Sequence, residues 1–71
     1  RIRGSPTGVA VMRTFSFFIH DKRYTAPTLR LVLTSDEDHA RELAQSELTG
    51  SEHHYCVEVD EDGQPLFRAY A

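Results

Sequence analysis

Apolar and polar positions alternate along residues 9–20, VAVMRTFSFFIH, where Val9, Val11, Phe15, Phe17 and Ile19 share one parity, interrupted only by Arg13. A period of two in a segment rich in β-branched and aromatic types predicts a half-buried strand. The polar run Asp21, Lys22, Arg23 predicts a turn. Residues 24–33 predict a second strand, with Thr25, Leu29, Leu31 and Leu33 on one parity and Arg30 on the other. Pro27 has no N–H to donate, which places it at an edge or a bulge. Together the two segments predict a β-hairpin with a basic tip.

The period then changes. Ala40, Leu43, Ala44 and Leu48 follow the i, i+3, i+4, i+8 spacing of an amphipathic helix. Thr34 with Glu37, or Ser35 with Asp38, supplies a capping pair, and Asp36, Glu37 and Asp38 suit the positive end of the helix dipole. Gly50 is expected to stop the helix in a left-handed conformation. Residues 53–59 predict a third strand with Tyr55, Val57 and Val59 inward. Asp60, Glu61, Asp62 and Gly63 predict a tight turn, and residues 66–70 a short fourth strand. The expected fold is therefore α+β, a ββαββ antiparallel four-stranded sheet with one helix packed on one face. In this order, and in its Ala-, Arg- and Glu-rich helix, the chain resembles short bacterial ββαβ-type proteins, with no motif that carries functional residues over.

Residues 1–8, RIRGSPTG, lack apolar periodicity and read as a tail or cloning remnant, with Met12 a plausible native start and residues 9–71 a single small domain. At 71 residues the chain is expected to bury only about 60% of the surface it exposes when unfolded. Domains of this size commonly gain stability from disulfides, metals or partner subunits. The single cysteine, Cys56, excludes an internal disulfide. With no apolar run long enough to cross a bilayer, a cytoplasmic protein is expected. One helix covers only one face of the sheet, and Phe18, Val32, Cys56 and Phe67 fall on the parities assigned to the other. A homodimer formed through that face, with Phe18, Val32 and Phe67 at its interface, is the expected partnership. Another protein is a second possible partner.

Charge divides the chain. Residues 1–30 carry six basic and one acidic side chain, net +5, whereas residues 31–71 carry two basic and ten acidic ones, net −8, giving −3 in all. Interleaving of strands from the two halves is expected to cancel most of it. Arg13, Lys22, Arg23, Tyr24 and Arg30 form a candidate nucleic-acid surface. A pI of about 5.7 and the lack of an RRM, KH or helix-turn-helix signature weigh against nucleic acid as a partner. The −8 half also suggests an acidic decoy for a basic partner.

His53, His54 and Cys56 are the one cluster of chemically capable residues. On a regular strand His54 and Cys56 share a face, and the parity of His20 brings it there too, so His20, His54 and Cys56 are a candidate zinc or copper set. Their spacing matches no established zinc pattern and a fourth ligand is missing. No cofactor is expected. The chain has no GxGxxG, P-loop, HExxH or nucleophile elbow, and Asp60–Gly63 lacks the spacing of a calcium loop. A non-enzymatic interaction domain is the resulting expectation.

Overall fold

A computed structural model describes residues 11–71: four antiparallel strands in one open sheet and one helix, an α+β fold in ββαββ order. The strands are β1 (Arg13–Asp21), β2 (Thr28–Thr34), β3 (His54–Glu61) and β4 (Gln64–Tyr70), and the helix is α1 (Glu37–Thr49). Their order across the sheet is β2-β1-β3-β4, so β2 and β4 are the edges. Val9 and the tail expected over residues 1–8 lie outside the described residues. Val11 and Met12 precede β1 and are exposed. β1 runs on through Asp21, and β2 starts only after Pro27.

The core lies between α1 and one face of the sheet. Phe15, Phe17 and Ile19 on β1 meet Val57 and Val59 on β3 beneath Ala40, Ala44 and Leu48, and all eight are buried. Leu43, Val32, Leu66, Phe67 and Ala69 pack against them, half-buried. The two alanines let the helix backbone sit low over the sheet, and it lies mainly over β3 and β4.

Two expectations about α1 are corrected. Asp36 caps its start, accepting from the His39 backbone N–H at 2.7 Å, rather than Thr34 or Ser35. Gly50 is not left-handed but right-handed helical at φ −73°. The last carbonyls find other donors: the Gly50 N–H and His54 Nδ1 both reach the Glu47 carbonyl, and the Thr49 hydroxyl reaches those of Gln45 and Ser46. With those carbonyls satisfied, no left-handed residue is required. The β3–β4 turn is tighter than expected. β3 continues through Glu61, and Asp62 (φ 53°) with Gly63 (φ 77°) forms a two-residue hairpin loop in which both residues are left-handed.

The face assigned to β2 is also corrected. Phe15 pairs with Val32 and Phe17 with Arg30, and directly opposed residues of an antiparallel pair project to the same side. Thr28, Arg30, Val32 and Thr34 therefore share the helix side, and Leu29, Leu31 and Leu33 stand on the open face at 57%, 65% and 66% exposure. Val32, expected on the open face, packs against the core instead. Phe67 does the same, because it pairs with Val59 on the helix side. The Arg41 guanidinium lies over its ring, 4.2 Å from the centroid.

Candidate functional site

The open face divides into two halves of different chemistry. On the β2–β1 half, Thr14 pairs with Leu33, Ser16 with Leu31 and Phe18 with Leu29. These six side chains carry no charge, and the three leucines are among the most exposed large apolar groups described. Of the residues expected at an interface, Phe18 is the one on this face, half-buried beside Leu29.

The β3–β4 half, together with His20 near the end of β1, is polar. His20 Nε2 lies 2.6 Å from Glu58 Oε1, and Arg68 Nε donates to Glu58 Oε2 at 3.0 Å. The hydrogen bond from His20 is the main cause holding the Glu58 carboxyl below its usual range, helped by the charge of Arg68. Tyr55 stacks obliquely on His20, with ring centroids 5.9 Å apart. A shallow depression of about 230 Å³ lies among His20, Tyr55, Cys56, Glu58, Arg68 and Tyr70. A second one, about 420 Å³, follows the β3–β4 irregularity near Asp60 and Pro65.

The candidate metal residues are only partly brought together. His20 and Cys56 face each other across β1 and β3, but the register shifts at the next pair, so that Asp21 opposes His54 and Tyr55 is left over. This extra residue turns His54 to the helix side, away from the other two. There its Nδ1 carries a proton toward the Glu47 carbonyl at 2.6 Å, since a carbonyl only accepts. Its Nε2 lies 3.6 Å from Asp21. Burial pushes the Cys56 thiol above its ordinary pKa, which disfavours the thiolate a metal would need. Among the described residues, no group of three or more His, Cys, Asp or Glu is placed to hold a metal ion.

The candidate nucleic-acid residues are dispersed, and their guanidiniums are engaged. Arg13, at the far end of β1 from the hairpin tip, donates through Nε and Nη2 to Glu61 at 2.7 and 2.6 Å. Arg30 sits mid-strand on the helix side and pairs with Glu47. At the tip, Arg23 donates from its backbone N–H and its guanidinium to Asp21, at 2.7–3.0 Å. Those bonds hold the buried Asp21 carboxyl well below the usual carboxylate range. Lys22 and Tyr24 are exposed beside it. The Arg13–Glu61 and Arg30–Glu47 pairs join the basic half of the chain to its acidic half.

The leucine stripe is the feature that sequence reasoning missed. Its signal is the alternation in TLRLVLT, which is the same in either phase. Among the described residues, no helix is long and apolar enough to cross a membrane. Compared with known proteins, the chain matches no family model, no curated protein and no solved structure.

Proposed function

We propose that this protein is a non-enzymatic, cytoplasmic interaction module that self-associates through the β2 side of its sheet, where the leucines of the open face stand. The exposed leucine stripe, Leu29, Leu31 and Leu33 with Phe18 beside it, carries the reading. Contiguous exposed apolar surface on a small domain marks a contact site. A second copy fits this surface because the half-face bears no charge, so two copies meet without like-charge repulsion. The acidic and basic groups of the open face lie on the other half, around Glu58 and Arg68.

Sedimentation equilibrium from about 1 to 300 μM, the range of modest affinities, is expected to show reversible dimerisation. A strict monomer throughout overturns the reading.

A further inference from the structure

The edge position of β2 and the order of its residues point to how two copies meet. The strand reads Thr28, Leu29, Arg30, Leu31, Val32, Leu33, Thr34, which is a palindrome about Leu31 except that Arg30 stands where symmetry would repeat Val32. Its pairing with β1 is regular over all seven residues. The register shifts of this sheet lie between β1 and β3 and between β3 and β4. β2 contains no proline or bulge, and its one charged side chain, Arg30, is paired with Glu47, so of the devices that keep an edge strand from pairing with another chain it keeps only a neutralised cation.

We infer that two copies join antiparallel through β2, with the two-fold axis at Leu31, into one continuous eight-stranded sheet. This inference rests on the self-association proposed above and supplies its geometry. With the axis normal to the sheet, opposed residues must share a face, so only registers pairing residues of equal parity are allowed. The register centred on Leu31 is the one that pairs all seven residues. It sets Leu29 against Leu33 of the partner subunit, Leu31 against the partner's Leu31 and Thr28 against the partner's Thr34. On the helix side it sets Arg30 against the partner's Val32, so the two guanidiniums do not oppose each other, and each remains on its own Glu47. Sliding by two residues toward the start of the strand brings the two Arg30 side chains together and leaves Leu33 without a partner. In the Leu31 register both helices lie on one side, displaced from the junction because α1 sits mainly over β3 and β4. Six leucines form a single strip on the other.

Cross-linking maps this register. In a Cys56→Ser background, Leu31→Cys is expected to form a disulfide dimer with itself under mild oxidation. Arg30→Cys mixed with Val32→Cys is expected to cross-link as a mixed pair, and neither of those alone. The 30–32 link lies on the helix side, out of reach if the two open faces stack on each other. Hydrogen exchange on the unaltered chain provides a second measurement. Amides of alternate β2 residues, those pointing away from β1, should slow as concentration rises into the dimer range. A dimer with neither the 30–32 link nor that protection overturns this inference and leaves self-association standing. A monomer overturns both.

Discussion

The two edges of this sheet are of equal length, and the fold treats them differently. β4 has Pro65 within the strand and a register shift opposite Asp60. Arg68 is bound to Glu58 on its open side, and on its helix side Phe67 lies under the Arg41 guanidinium, which Glu37 holds at 2.7 Å. Pro65 and the register shift obstruct a strand arriving at that edge. β2 has the opposite character: regular pairing, three exposed leucines and one cation already neutralised by Glu47. A domain that closes one edge and leaves the other open has a direction in which to associate. Marginal size gives that contact thermodynamic weight, because few kilocalories separate folded from unfolded in a chain this short.

Substitutions on the two edges should therefore separate association from stability. The largest effect is expected from Leu31→Lys, which puts a cation at the two-fold axis. It should weaken dimerisation at least 100-fold by sedimentation, about 2.7 kcal/mol, with the far-UV spectrum unchanged, because Leu31 is 65% exposed. Unaltered self-association would show that the leucine edge is not the contact. Next, Phe67→Ala on β4 should cost about 2 kcal/mol of folding stability by urea denaturation, below the value for a fully buried ring because Phe67 is half-buried. Its dimerisation, measured where it remains folded, should be unchanged. A loss of dimerisation there would erase the distinction between the edges.

The smallest of the three concerns Asp21, which closes the hairpin that carries β2. Its carboxyl is held below the usual range chiefly by the bonds from Arg23. A carboxylate with a lowered folded pKa contributes stability that is complete above its unfolded value of about 4 and is lost as pH falls from there toward the lowered value. Asp21→Asn is expected to be less stable at neutral pH and to lose less stability between pH 5 and 2, by urea midpoints across that window. Because Arg23 is half exposed, solvent screening keeps the effect modest. An acid limb as steep as that of the unaltered chain would remove Asp21 from the account.

Much of the fold was legible because local chemistry and global packing agree. Phe15, Phe17 and Ile19 alternate strictly, Ala40, Ala44 and Leu48 keep helical spacing, and Asp62-Gly63 is a turn of known type. The surface was harder to read. His54 and Cys56 are two apart, which implies a common face until an unpaired Tyr55 intervenes. On β2 the greasier parity is the exposed one, so hydrophobicity alone pointed the leucines inward.

Periods, element order and the position of the β3–β4 turn followed from the chain itself, since side-chain volume and the conformations open to Asp62 and Gly63 act over a few residues. The phase of β2 was decided by tertiary structure. Its register places Phe15 opposite Val32, and a slip of one residue would have sent every leucine under the helix. Alternation reads the same in either phase. Only the pairing with β1, together with the docking of Thr34 on His39 at the helix start, selects which side meets water.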